Sequence, residues 1–191
     1  MTDIPDPKDV LEQAELSAHA GHSQDKLTMD VTLSIAIMAV VAAFIAALGD
    51  TEESHTFVEK NDAVLAQAKA SDTWAEYQAE SLKRHVYDVG SAIATAPDVV
   101  ARLKAQADKY SGEQPATQDK AKKLEAEVDE RSQKADTHFA RHHILTFAEG
   151  MVHVAIAAAS VSLLARRRLY WYAALAVTAA GIAVAGAAYL A

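Results

Sequence analysis

The sequence predicts an all-α integral membrane protein with three transmembrane helices and a long extramembrane helical hairpin between the first and the second. Three observations predict it. Residues 31–49 (VTLSIAIMAVVAAFIAALG) carry no charged side chain over 19 positions, residues 169–191 none over 23, and residues 144–165 only Glu149. At about 1.5 Å per residue such runs reach roughly 28 to 35 Å, which matches a bilayer core of about 30 Å. The section between the first two runs is too polar, and too poor in large apolar residues, to shield three such helices in water. Finally, the second and third runs are joined by Arg166, Arg167 and Arg168 alone, a strong cytoplasmic signal under the positive-inside rule.

The elements follow in order. Residues 1–30 form an acidic tail with seven acids against two lysines. Its first eight residues (MTDIPDPK) read as disordered, and residues 10–24 suit a short helix with a thin apolar face. This acidic leader is the wrong preface for a cleavable signal peptide, which carries a short basic leader and a shorter apolar core. After the first span, residues 50–143 form the arm. Phe57, Asn61, Val64, Ala68, Ser71, Ala75, Gln78, Leu82, His85 and Val89 recur there at alternating spacings of four and three. That is a heptad-like stripe. Its small and polar members predict a helical hairpin arm rather than a strong two-stranded zipper. Ala96-Pro97-Asp98 interrupts the pattern, because proline disfavours helical geometry in the residue before it. Gly112 to Pro115 (GEQP) reads as the clearer turn. From Thr117 a second helix runs without a breaker into the second span, so one helix leaves the membrane and a long one returns.

With the arginine loop inside, the N-terminus is also inside, while residues 50–143 and the C-terminus are outside. Tyr170, Trp171 and Tyr172 follow the loop at the depth where amphipathic rings favour the headgroup layer. The chain's formal charge is −8, with eighteen acids against thirteen bases in residues 50–143. An acidic chain without a basic patch argues against a nucleic-acid partner. The absence of cysteine excludes disulfides, iron–sulfur clusters and thiolate zinc sites.

Few residues carry a chemical signal. Glu149 and His153, one turn apart on one face, lie near the outer end of the second span. They suit either a proton-sensitive pair, since intramembrane ionisable groups are functional suspects, or a snorkelling acid beside a packed imidazole. His138 and His142 share a face and offer two zinc ligands, but two ligands do not make a site; His19 and His22 form a second pair in the tail. Trp74, Tyr77, Gln78 and Ser81 occupy the most aromatic part of the arm, as a partner-binding patch or as the seam of the hairpin itself. Paired acids such as Glu52 and Glu53 read as solvated. No glycine-rich phosphate loop, nucleophile elbow or His-Glu-x-x-His arrangement is present, so no catalytic residue, cofactor or metal is assigned. Alanines in the first span, and Gly181 and Gly186 among alanines in the third, permit close helix approach in lipid; they favour a compact bundle or an oligomer and reveal no pore.

Three segments carry a likeness to a known family. They are the His19/His22 tail leading through the first span to Glu53-Ser54, the stretch Trp74-Ala75-Glu76-Tyr77-Gln78-Ala79-Glu80-Ser81-Leu82-Lys83, and His142 through Trp171, where Phe147-Ala148-Glu149 opens the second span and ASVSLLARRR closes it. The sequence resembles a bacterial inner-membrane family catalogued as domain of unknown function 4337, whose central motif is W-A-x-Y-Q-A-K-S-x-K. This chain has Glu80 where that family often has lysine, and His153 where it often has glutamine. The resemblance implies a three-span membrane protein and no reaction. The expected function is a non-enzymatic scaffold or interaction protein working through its arm, with the lipid bilayer and a second copy or another membrane protein as partners. The alternative is a small transport or proton-linked component using Glu149 and His153.

Overall fold

A computed structural model describes the backbone of residues 7–190 and the side chains of residues 26–190. The side chains of His19 and His22, and residues 1–6 of the tail, lie outside the described residues. The described chain is all-helical and holds three helices: α1 (Pro7–Ile93), α2 (Pro97–Ala165) and α3 (Arg168–Ala187). Each contains a stretch long and apolar enough to cross a membrane.

The element boundaries differ from the sequence expectation in three ways. First, apolar run and polar arm are not separate elements: α1 runs unbroken through both over 87 residues, and α2 does the same over 69. Hydropathy changes at Gly49-Asp50, but nothing there stops a helix. Second, residues 10–24 are no separate short helix but part of α1. Third, GEQP is not a turn, since Pro115 lies inside α2. A proline forfeits one backbone bond and crowds the preceding turn. Here the stretch is held from across the hairpin: Arg84 Nη1 donates to Gln114 Oε1 at 3.1 Å and Thr117 Oγ1 to Glu80 Oε1 at 3.1 Å. The reversal falls instead in residues 94–96. Pro97 opens α2 where a missing N–H costs nothing, and the Ala96 carbonyl accepts from Val100 N at 3.0 Å.

The chain divides into two compact units, residues 1–52 with 140–191, and residues 53–139. In the first, the buried positions step by three and four along every helix: Met38, Ala42 and Ile45 of α1, Leu145, Ala148, Val152, Ala155 and Ala159 of α2, Ala174, Thr178, Gly181 and Ala185 of α3. That spacing keeps one seam facing its neighbours, as in left-handed bundles. Alanines supply half of this interior, around the larger Met38, Ile45, Leu145 and Val152, while Leu33, Ile37, Phe44, Phe147, Leu164 and Ile182 point outward. Gly181 marks the closest approach: a Cβ there would lie 3.1 Å from the Ala148 carbonyl oxygen and 3.2 Å from Val152 Cγ2. Trp171, expected at the headgroup layer, is half-buried, and its Nε1 donates to Ser34 Oγ at 3.1 Å; Tyr170 and Tyr172 are exposed.

The second unit is a two-helix antiparallel hairpin. Cross-links proceed from Lys60–Asp136 (2.9 Å) through Trp74–Glu125 (2.8 Å) to the stacked rings of Tyr87 and Tyr110, 5.9 Å apart. The buried apolar residues of its seam are all alanine: Ala63, Ala66 and Ala70 face a surface containing Ala107, Ala121 and Ala135. Alanine brings no side-chain ordering cost and lets the helices approach closely. Arg131 braces one end, reaching Glu59 at 3.1 Å and Asp62 at 3.2 Å. Its guanidinium is held above its ordinary pKa, chiefly by the hydrogen bond to Glu59.

Candidate functional site

Because alanines make the seam, the stripe read from the sequence does not. Phe57, Asn61, Val64, Ala68, Ser71, Ala75, Gln78, Leu82, His85 and Val89 are all exposed, on the side of α1 opposite Ala63, Ala66 and Ala70. The larger members leave no doubt about the direction: Phe57 is 62% exposed, Val64 70%, Leu82 66% and Val89 50%. The structure adds a row that the four-and-three count had not included, Val58, Leu65, Val86 and Ile93, each one position beyond a stripe residue or its continuation and each exposed. Together they make an apolar face three positions wide in seven, the width of a helix face that packs in a bundle. On α2 between residues 97 and 139, Phe139 is the only large apolar side chain among the strongly exposed ones. The apolar surface of the hairpin therefore belongs to α1.

The aromatic patch sits at the edge of this face. Trp74 meets Tyr77 edge-on, with ring centroids 5.5 Å apart and planes at 88°, and its Nε1 donates to Glu125 Oε1 of α2 at 2.8 Å. Trp74 thus joins the two helices from the flank, while Tyr77, Gln78, Ser81, Leu82 and His85 line an open surface groove of about 370 Å³. Behind it is a buried polar layer. Besides its bonds to Thr117 and Gln114, this layer keeps Glu80 Oε2, Arg84 Nε and Gln114 Nε2 without a hydrogen-bond partner. An incompletely satisfied buried layer costs stability but makes a shifted hairpin register worse.

The histidines are distributed among different partners. His138 stacks on His55 with centroids 5.1 Å apart. His142 Nδ1 lies 3.0 Å from the Gly49 carbonyl oxygen; a carbonyl only accepts, so Nδ1 carries the proton in this contact. Among the described residues no three His, Cys, Asp or Glu side chains gather where they could hold a metal ion. His142 also borders a polar cluster absent from the sequence reading. Glu52, expected to be solvated, is only 6% exposed. The Tyr189 hydroxyl hydrogen-bonds its carboxylate, and the Arg141 guanidinium lies 5.6 Å from the Tyr189 ring centroid. The first and third apolar stretches are thus fastened at one end by Glu52–Tyr189 and near the other by Ser34–Trp171.

Glu149 and His153 come together only loosely. His153 Nδ1 is 3.9 Å from Glu149 Oε1, beyond hydrogen-bond reach, and the side chains are 59% and 29% exposed respectively. The interior beside them is filled by Leu145, Ala148, Val152 and Ala155, all fully buried. In the loop, Arg166 adopts a left-handed backbone with φ 53° and Arg167 is extended. The buried Ser162 hydroxyl donates to the Arg167 carbonyl at 3.0 Å. Arg168 is already the first residue of α3. All three arginines are exposed.

The three long helices, the outward apolar residues and the Trp74–Lys83 stretch can now be set beside known proteins. The family model described as Domain of unknown function (DUF4337) matches residues 27–191. The chain belongs to this family. No curated protein and no solved structure matches it.

Proposed function

We propose that this DUF4337 member is a multi-pass protein of the bacterial inner membrane, acting as a scaffold rather than as an enzyme, with the hairpin as its extramembrane interaction arm. The observation that carries the reading is the exposed apolar face of α1 between residues 57 and 93. A face of that width left in water is a liability unless something covers it. The membrane setting is supported by the first unit, where many large apolar residues point outward and where alanines, with Gly181 and Ser162, fill much of the interior around Met38, Ile45, Leu145 and Val152. That distribution suits lipid, where close backbone approach replaces hydrophobic burial as the force between helices. Under the positive-inside rule the arginine loop supports a cytoplasmic N-terminus, with residues 50–143 and the C-terminus outside the cytoplasm. A proton-linked role for Glu149 and His153 requires a polar passage through their layer, and the fully buried apolar residues there do not favour one.

Two measurements test this. The chain should stay in the pellet when membranes are washed with alkaline carbonate. A photo-crosslinking residue at Tyr77, Ser81 or Leu82 in native membranes should give a discrete adduct; a diffuse smear from all three positions would remove the interaction arm from the reading.

A further inference from the structure

The exposed face of α1 carries its own description of what should cover it. We infer that its occupant is a second copy of the chain, with the two α1 helices paired parallel and in register over residues 57–93. The inference rests on the reading of the hairpin as an interaction arm and names that arm's partner.

Three observations point to a copy. The four-and-three alternation is unbroken from Phe57 to Val89, and a sustained 3.5-residue period is the signature of a helix packed along another helix. The face opposes the alanine seam, so α2 already occupies one side of α1 and leaves the wider, larger-residue side open. Charge is almost absent from this side. Taking Asn61 as heptad position a, Phe57 is d and Val58 is e, and from residue 57 to 93 the a, d and e positions hold one formally charged residue, Asp72. The surrounding arm holds eighteen acids and thirteen bases, so an uncharged path is a feature of this face and not of the composition. Two copies meet along it without repulsion.

The orientation follows from connectivity. Both ends of the hairpin continue into apolar stretches, so two copies inserted the same way in one bilayer can pair these helices only in parallel. Parallel pairing in register places Asn61 against Asn61, where the two amides can bond each other. A shift of one heptad would set one amide against Ala68 and the other against Ser54 instead. A single asparagine at an a position selects register in this way. The same register brings Gln67 of one copy, at a g position, beside Asp72 of the other, at an e position, which offers the acid a donor. The polar centre of the stripe, Ser71 and Gln78, makes the pairing weaker than that of a full zipper, consistent with a contact that the membrane anchors concentrate.

The native chain has no cysteine, so single cysteines report without background. Ala75→Cys and Leu82→Cys, both at a positions, should form same-residue disulfide dimers in native membranes under mild oxidation. Glu76→Cys, one residue from Ala75 but off the face, should give at least tenfold less. Leu82→Lys placed in the Ala75→Cys chain should abolish the dimer while leaving the helical circular dichroism of the purified protein unchanged. Equal dimer yields from Glu76→Cys and Ala75→Cys, or none from either a position, would overturn the pairing. A photo-crosslinker at Leu82 separates the two readings. An adduct only with a different protein refutes the second copy and leaves the interaction arm standing, whereas no adduct at all refutes both.

Discussion

Replacing Gly181 tests the close packing of α3 on α2. A Cβ at this position would sit 3.1 Å from the Ala148 carbonyl oxygen, 3.2 Å from Val152 Cγ2 and 3.4 Å from Met151 Cβ. The nearest of these is helix backbone and cannot rotate away. Overfilling a packed interior costs about 1–3 kcal/mol, while exchanging a helical glycine for alanine returns up to about 1 kcal/mol of propensity. Gly181→Ala should therefore lie within about 1 kcal/mol of the parent, the two effects nearly cancelling. Gly181→Leu puts three more carbons into the same obstruction, so a net loss of roughly 1–3 kcal/mol is expected. Gly186 is the control, because a Cβ there meets nothing within 4 Å and the residue lines an open apolar groove with Phe44 and Ile182. Unfolding by sodium dodecyl sulfate from mild micelles, followed by Trp171 fluorescence in a Trp74→Phe background, gives the comparison. If Gly181→Leu unfolds at the same detergent fraction as Gly186→Leu, α3 does not pack against Ala148 and Val152 as described.

Other expectations follow from single contacts. Ser34→Ala removes the acceptor of the Trp171 indole and should cost roughly 1 kcal/mol with an altered Trp171 emission; unchanged stability and spectrum would mean that the bond is not formed. Converting Arg166, Arg167 and Arg168 together to glutamine should turn a uniformly external C-terminus, read by a reporter after Ala191, into a mixed population, because no other short connection offers a competing basic signal. A cytoplasmic reporter on the parent would reverse the proposed topology. Glu130 is held below the ordinary carboxylate range, first by the hydrogen bond from Lys134 and then by that lysine's charge. A lowered folded-state pKa means a stabilising contribution present above the unfolded-state value and lost as pH falls through the folded one. The difference in Tm between the parent and Glu130→Gln should therefore be small, present at neutral pH and gone in acid. A gap that widens in acid would contradict the assignment.

How far the fold was legible depended on which property carried each feature. The three apolar runs were plain because hydropathy accumulates along a stretch, and α2 does end at Ala165, where the arginines begin. The identity of helix and apolar run was not, because a helix is sustained by backbone bonds that continue past Gly49 and Asp50 whatever the solvent. Pro115 misled for a related reason: a proline's local cost can be met by contacts such as Arg84–Gln114, which join residues thirty apart. The stripe from Phe57 to Val89 was legible as a stripe. Its direction was not, since periodicity shows that residues share a face without saying which partner that face meets. Alanine decided the matter; Ala63, Ala66 and Ala70 make a weaker hydropathy signal than Val64 or Leu82 and yet form the contact. Within the candidate site, Trp74, Tyr77 and Ser81 stood out as aromatics and neighbours. Glu52 and Tyr189 did not, because they are 137 positions apart and meet only in three dimensions.

The inward alanines and Gly181 of the first unit, set against its large outward residues, separate two tasks that water-soluble proteins give to the same side chains. In a bilayer, Leu33, Ile37, Val40 and Phe44 supply the free energy of partitioning into lipid, on the order of 0.3 to 0.6 kcal/mol each on an insertion scale. Ala42, Ala148, Ala155 and Gly181 add little to partitioning and instead decide how the inserted helices fit. Lesions of the two kinds should then leave different products. Several outward residues changed together to serine should lower the fraction of chain that enters a membrane, whereas an inward alanine changed to leucine should leave entry intact and impair assembly. On the proposed membrane reading, lipid would meet one face of each helix and its neighbouring helices the other.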